Sequence, residues 1–148
     1  AAYFYRRSQK GGFDAVLMTQ GMESIMANMD AIETNENATD KDEDLLTTME
    51  VVYEYYLRGF TFLPIDVYKS HATKFLIIDG KILPPFVAIS GLGENAAWDL
   101  MRGREGKTFL SIEEVAAACP KVSKTHIQML KDAGAFGSLP DTSQISLF

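Results

Sequence analysis

The segment Gly91-Leu92-Gly93 offers the clearest chemistry in this chain of 148 residues, because it can present backbone N–H groups to an anion. Two glycines let the backbone turn sharply with no Cβ in the way. A helical pattern begins directly afterwards at Glu94, and the first N–H groups of a helix lack intrahelical partners and carry the positive end of its dipole. Such a bend suits one phosphate, with Leu92 buried as its anchor. The alternative interpretation is a plain tight turn between two helices.

Polar and basic side chains follow the bend and are candidates for contacts with neighbouring phosphates. Glu94 opposes this interpretation in part: an acid at a helix start stabilises the helix, but it repels a phosphate unless it points away. The candidate DNA-binding residues of this segment are the bend itself together with Asn95, Arg102, Arg104 and Lys107.

The last five residues, Gln144-Ile145-Ser146-Leu147-Phe148, form a second candidate binding element. Two adjacent large apolar side chains can enter one pocket on a partner, each contributing roughly 1.5–3 kcal/mol when fully buried. A preceding glutamine can fix the register through paired amide hydrogen bonds. The alternative is that Leu147 and Phe148 fold back onto their own domain.

The net charge of −6 is unevenly distributed along the chain. Asp30 to Glu54 holds nine acids and one base, Lys41, whereas Tyr55 to Ala133 holds ten bases and eight acids. Binding to nucleic acid follows the local field rather than the total charge. The composition therefore permits DNA binding by the later part of the chain without requiring it.

Residues suited to metal or nucleophilic chemistry are scarce. Cys119 is the single cysteine and the chain has two histidines, which argues against a zinc site or an internal disulfide and fits a reducing compartment. No apolar run approaches the ~20 residues that cross a bilayer. We therefore expect a cytoplasmic protein with no membrane partner and no metal or cofactor of its own.

The apolar spacing predicts a mainly α-helical protein with a small β-hairpin. It favours helices over 13–32, with an interruption at Gly21, and over 45–57. The polar and acidic stretch 34–44 has no periodicity and predicts a solvated loop. Asp79-Gly80 between two apolar runs predicts a β-hairpin over 74–83, because both turn positions require positive φ.

The elements around the glycine bend are also predicted locally. Pro84-Pro85 can begin a short helical turn, and a helix is expected over 94–105. Ser111 and Ser123 are expected to cap two further helices, the last of which ends at Gly134. From Gly137 the tail is polar and expected to be flexible. No internal repeat is evident.

The segment from Pro84 to Ala97 resembles a helix-hairpin-helix motif, which in its family binds the DNA backbone without reading sequence. The last five residues are similar to the sliding-clamp-binding pentapeptide of bacteria, Gln-x-Ser-Leu-Phe. The order of motifs over nearly the whole chain resembles the C-terminal end of PolC-type DNA polymerase III alpha subunits. The resemblance is carried by Ala1-Ala2-Tyr3-Phe4, Phe13-Asp14, 55–60 ending in Arg58-Gly59-Phe60, 65–70, 72–75, Pro84-Pro85-Phe86, Gly91-Leu92-Gly93, Phe109-Leu110-Ser111, 122–125 and Leu139-Pro140.

The resemblance implies a division of the chain into three parts. Residues 1–83 would be a fingers-like helical region, 84–136 the helix-hairpin-helix DNA-binding region, and 137–148 a flexible tail with the clamp peptide. The parent would be a magnesium-dependent polymerase whose metal-binding aspartates lie upstream, in the palm. This part would hold no catalytic residue and be inactive alone.

Within that family, the expected partners are a primer-template duplex, the sliding clamp and the palm. Arg58, Lys69 and Lys74 are candidates for template or phosphate contacts, although each is equally compatible with an ordinary surface position. Two other functions stay open: a free-standing DNA-binding module without enzymatic activity, and a clamp-docking adaptor whose globular part binds another protein.

Overall fold

The computed structural model describes residues 2–9 and 12–142. Helices dominate them, and one antiparallel two-stranded hairpin is present, as predicted. The helices are α1 (Ala2–Gln9), α2 (Ala15–Met18), α3 (Met22–Glu33), α4 (Asp40–Leu57), α5 (Glu94–Arg104), α6 (Ile112–Ala118) and α7 (Lys124–Asp132); the strands are β1 (Leu76–Ile78) and β2 (Lys81–Leu83); a 3₁₀ turn spans Phe86–Ala88.

Local signals explain most of these boundaries. Gly21 has φ +98° and separates α2 from α3, which confirms the predicted interruption. Asp79 and Gly80 both have positive φ, at 51° and 77°, and join β1 to β2 in the register Leu76 to Leu83. Ser123 accepts a hydrogen bond from the N–H of His126, as expected of an N-cap.

The acidic loop predicted over 34–44 is wrong in its second half. Helix α4 begins at Asp40, because Thr39 caps it and Asp42 returns the bond in a capping box. Acids in the first turn of a helix interact favourably with its dipole. The acidic run from Asp40 to Asp44 is therefore the start of a helix.

The tail predicted to be flexible from Gly137 is held against α6 over its first residues. The first two N–H groups of α6, those of Ile112 and Glu113, donate to the carbonyls of Pro140 and Asp141 at 2.9 and 3.1 Å. Asp141 also pairs with Lys131 at 2.7 Å. These carbonyls take the place of solvent at the helix start, so this part of the tail belongs to the folded body.

The hydrophobic core includes residues from near both ends of the described chain. Phe4 is fully buried, and its ring lies 5.2–5.9 Å from the rings of Phe13, Tyr55, Phe62 and Phe75. The same cluster of buried residues continues through the glycine bend and α7 to Phe136. Residues before and after position 83 therefore share one core.

Candidate nucleic-acid interface

The glycine bend forms a tight hairpin between the 3₁₀ turn and α5. Gly91 has φ +91°, a conformation that favours glycine. Leu92 is buried, and its N–H donates to the carbonyl of Ile89 at 3.1 Å. Leucine in the middle position thus anchors the hairpin while both glycines stay exposed. We call residues 89–93 hairpin 1.

The N-terminus of α5 is open toward solvent beside hairpin 1. Gly93 is its N-cap in extended conformation and provides no side-chain cap. Among the described residues, the N–H groups of Glu94 and Asn95 donate to no acceptor, and both residues are exposed. Free amides at the positive end of a helix form an anion-binding arrangement.

A cleft of about 370 Å³ lies at hairpin 1 and includes a cation that sequence reasoning missed. The cation is Lys41 at the start of α4, exposed and separated from the hairpin by some fifty positions in sequence. Lys41 is the one base within the acidic run, and this was the feature of the sequence that could have marked it as a candidate. The cleft is lined by Phe13, Lys41, Val87, Ile89, Ser90, Gly91, Leu92 and Gly93.

The basic residues predicted to contact neighbouring phosphates, Arg102, Arg104 and Lys107, lie at or just beyond the end of α5 that is opposite hairpin 1. A helix of 11 residues is about 16 Å long, so any phosphates that they contact are different from the one at the hairpin amides, and these contacts remain predictions. All three line a separate cleft of about 610 Å³. Arg102 pairs with Asp99 at 3.3 Å.

Arg104 has an internal role in the structure. Its guanidinium donates to the carbonyl of Val67 at 3.0 Å and lies 5.7 Å from the ring centre of Phe86. Burial lowers the pKa of Arg104, while nearby Asp66 acts in the opposite direction. Arg104 therefore joins the segment around Val67 to α5, which is a positioning role.

The remaining cations predicted as contacts are exposed and do not line the cleft at hairpin 1. Arg58 ends α4 and pairs with Glu54 at 2.7 Å. Lys69 lies in a turn closed by Asp66, and Lys74 follows His71, whose Nδ1 accepts its N–H at 3.1 Å. Their contacts with DNA remain predictions.

A second hairpin, residues 119–123, lies 30 positions after hairpin 1 and has a similar turn, although no repeat was evident in the sequence. Val122 takes the place of Leu92: it is buried, and its N–H donates to the carbonyl of Cys119 at 3.0 Å. Ser123 caps α7 with φ −79° and ψ 170°, against −77° and 168° for Gly93. We call residues 119–123 hairpin 2.

The contacts between the two halves are reciprocal. On α5, the carboxylate of Asp99 accepts the N–H of Lys121 in hairpin 2 at 2.8 Å. On α7, Met129 occupies the equivalent position, and its Cε lies 2.9 Å from where a Cβ on Gly91 would stand in hairpin 1. Each unit therefore places its second helix against the hairpin of the other unit.

The two hairpins use different chemistry. Hairpin 1 has bare amides and no lysine of its own. In hairpin 2, the hydroxyl of Ser123 caps the N–H of His126. Lys121 in this hairpin and Lys124 at the start of α7 are exposed. The absence of glycine hid this repeat, and the matching pairs Leu92 with Val122 and Leu100 with Leu130 were the signal available.

Comparison with known proteins agrees with this geometry. A protein-family model described as "Helix-hairpin-helix motif" matches residues 59–145, more than half of the chain. The chain belongs to the helix-hairpin-helix family. The match includes both hairpins and the segment from Gly59 to Leu83 that packs beside them.

The curated relatives match the whole of this helix-hairpin-helix chain and are themselves much longer. This chain is 42% identical over 149 residues to "DNA polymerase III PolC-type" of Bacillus cereus, and the match covers 100% of this chain and 10% of that protein. Proteins with the same name from Streptococcus thermophilus and Thermotoga petrophila are each 40% identical over 150 residues, covering 99% and 100% of this chain. The chain spans about a tenth of the length of these curated relatives. The resemblance to a PolC segment is confirmed.

Over residues 2–9 and 12–142, no group of three or more His, Cys, Asp or Glu side chains is placed to hold a metal ion. Burial raises the pKa of the Cys119 thiol to about 11, with Asp99 acting in the same direction, so this thiol is neutral at physiological pH. None of the described helices is long and apolar enough to cross a membrane. The predicted clamp peptide, Gln144 to Phe148, lies outside the described residues.

Proposed function

We propose that this chain grips duplex DNA by its phosphate backbone within a replicative DNA polymerase and tethers that polymerase to a sliding clamp. The observation that supports the grip most strongly is the pair of hairpins, each packed against the second helix of the other unit. Each hairpin places the start of a helix at the surface. Two such helix starts can hold two phosphates of one duplex.

The contribution to the reaction is positional. Template-directed nucleotide addition requires the primer end, the template and the nucleotide to be held in line, and positioning alone accounts for a large part of many rate enhancements. Magnesium chemistry belongs in this proposal to the palm, and no step runs through the residues described above. The chain by itself is therefore expected to bind DNA without extending a primer.

Salt dependence tests the backbone grip. The affinity for a blunt duplex, measured by fluorescence anisotropy, should fall steeply with salt and vary little with base sequence. Lys121→Gln and Lys124→Gln should each lower the slope of log affinity against log salt by about 0.9 if each contacts one phosphate. Lys81→Gln, an exposed lysine on β2, is the matched control and should leave the slope unchanged.

Two outcomes would contradict the grip. An affinity that is insensitive to salt would favour the adaptor, whose globular part binds protein. A strong preference for one base sequence would mean that base edges are read, which free backbone amides and lysines do not do.

The tether is supported by the agreement of the last five residues with the clamp-binding pentapeptide. Replacing Leu147 and Phe148 by alanine should abolish binding to a sliding clamp, measured by calorimetry, while leaving DNA binding intact. Ile145→Ala is the matched control, because this residue occupies the unspecified second position of the pentapeptide. Equal clamp binding by the double variant and the parent chain would rule the tether out.

A further inference from the structure

The cleft at the far end of α5 carries two exposed aromatic rings together with several cations. It encloses about 610 Å³, and Trp98 and Tyr68 on its wall are 39% and 40% exposed. Tryptophan side chains are usually more buried than this. The residues that matter here are Tyr68, Trp98, Arg102, Arg104, Glu105 and Lys107.

Both rings are held in place by contacts beneath them. His71 meets the indole of Trp98 edge to face, with centres 5.2 Å apart and planes at 81°. Tyr68 stacks on Phe109 at 27°, and its hydroxyl accepts the N–H of Phe109 at 3.0 Å. His71 is itself fixed, because its Nδ1 accepts the N–H groups of Thr73 and Lys74. Rings fixed in this way lose little entropy when a flat ligand stacks on them.

The charge of the cleft favours an anionic ligand. Arg102 and Lys107 are exposed, whereas Arg104 is engaged with Val67 and Phe86, and Glu105 supplies one opposing charge. Arg102 has one nitrogen 3.3 Å from Asp99, which leaves the rest of its guanidinium available to a phosphate. Planar aromatic faces beside cations are what unpaired nucleotides require.

One exposed stripe of α5 connects this cleft with hairpin 1. Asn95, Trp98 and Arg102 are exposed at spacings of three and four residues, so they lie on one face of the helix. Trp98 is five residues beyond Gly93, which is roughly 7.5 Å along the axis at ~1.5 Å per residue. This corresponds to about two base steps at ~3.4 Å each along one DNA strand.

We propose that this cleft binds single-stranded DNA where it leaves the duplex held by the hairpins. An unpaired base stacks on Trp98, and the adjoining phosphate faces Arg102 and Lys107. A base paired inside a duplex cannot do this, because both of its faces are covered by neighbours in the helix. The junction assignment rests on the proposed grip on duplex DNA, whereas single-strand binding by the cleft does not.

Trp98 is the one tryptophan of the chain, so its fluorescence reports on the cleft alone. An oligothymidylate of about eight nucleotides, within the usual range of single-strand site sizes, should quench this fluorescence. A blunt duplex should not. An unchanged signal with the oligothymidylate would overturn the proposal and leave the cleft as a surface for protein.

Affinity for two DNA forms separates this proposal from the grip itself. By anisotropy, a duplex with a single-stranded overhang should bind at least about fivefold more tightly than the blunt duplex, as expected for one stacked base. Trp98→Ala should abolish that difference without changing blunt-duplex binding, and Arg102→Gln, at an exposed site, should reduce it. Equal losses on both DNA forms would contradict the cleft assignment. Blunt-duplex binding that is absent while quenching persists would reject the grip and retain the cleft.

Discussion

At the scale of single residues, the two glycines of hairpin 1 have different tasks. Gly91 needs positive φ, and a Cβ there would meet Met129 at 2.9 Å. Gly93 has φ −77°, and a Cβ there would meet nothing within 4 Å. Gly91 is therefore required by the fold. The fold would accept a Cβ at Gly93, so glycine matters there only for a ligand that approaches the backbone closely.

Gly93→Ala should consequently separate binding from folding. We expect its melting temperature to stay close to that of the parent chain, because alanine adopts this backbone conformation freely. Its affinity for a blunt duplex should fall severalfold, because the added methyl stands beside the free amides. Gly91→Ala is the comparison and should lose stability by about 1 kcal/mol or more. Unchanged DNA affinity in folded Gly93→Ala would show that hairpin 1 does not approach a phosphate closely.

His71 gives the fold a dependence on pH. Burial lowers the pKa of His71, and Lys74 and Arg104 lower it further, so the folded state disfavours protonation. The contribution of His71 to stability is therefore fully present above its ordinary pKa of 6.5. It declines as the pH falls below 6.5 toward the lower pKa that His71 has in the folded state. Urea unfolding should show a larger loss between about pH 8 and about pH 5.5 for the parent chain than for His71→Asn, whose amide oxygen can still accept. An equal loss in both chains would mean that His71 is free to protonate in the fold.

At the scale of elements, signals confined to a few neighbouring residues predicted structure well. Asp79-Gly80 specified its hairpin through backbone conformation alone, and the glycine bend specified hairpin 1. Hairpin 2 escaped prediction because Lys121-Val122-Ser123 reaches a similar helix start with a serine cap in place of glycine, and Lys121 does not adopt the positive φ of Gly91. The start of α4 was predicted at residue 45 and lies at Asp40, because the acidic run was interpreted as a solvated loop and not as the first turn of a helix.

Contacts that join distant elements could not be predicted from such signals. Lys41 lines the cleft at hairpin 1 although it is some fifty residues away in sequence. Tyr68 lines the same cleft as Trp98 because its segment is held against α5, where Arg104 donates to the carbonyl of Val67. The order of motifs along the chain nevertheless revealed the family, since each motif depends on local sequence.

The crossing of α5 and α6 depends on Gly103. A Cβ there would lie 2.5 Å from Sγ of Cys119 and 2.8 Å from the carbonyl oxygen of Ala118, which is backbone and cannot rotate away. Glycine to alanine in an exposed helix interior normally stabilises by roughly 1 kcal/mol. We expect the opposite sign for Gly103→Ala, a loss of about 1–3 kcal/mol in the free energy of unfolding, from overpacking. Asn95→Ala, exposed on the same helix, is the control; a stabilised Gly103→Ala would mean that the two helices can separate at no cost.

At the scale of the whole molecule, one core joins α1 to the DNA-binding hairpins. Phe4 is fully buried against rings from α4 and from the segments around Phe62 and Phe75, and α1 also contacts the 3₁₀ turn that leads into hairpin 1. A core shared in this way should unfold cooperatively. Residues before and after position 83 are then expected to lose structure together.

Phe4→Ala tests this coupling. Removing a fully buried phenylalanine should lower the free energy of unfolding by about 3–5 kcal/mol. Because the core is shared, urea unfolding followed by circular dichroism and by the fluorescence of Trp98 should shift to the same lower midpoint. Ile77→Ala, at a residue that is 68% exposed, is the control and should change stability by less than about 0.5 kcal/mol. A Trp98 transition that stays at its original midpoint while the circular dichroism shifts would mean that the hairpins fold independently of α1.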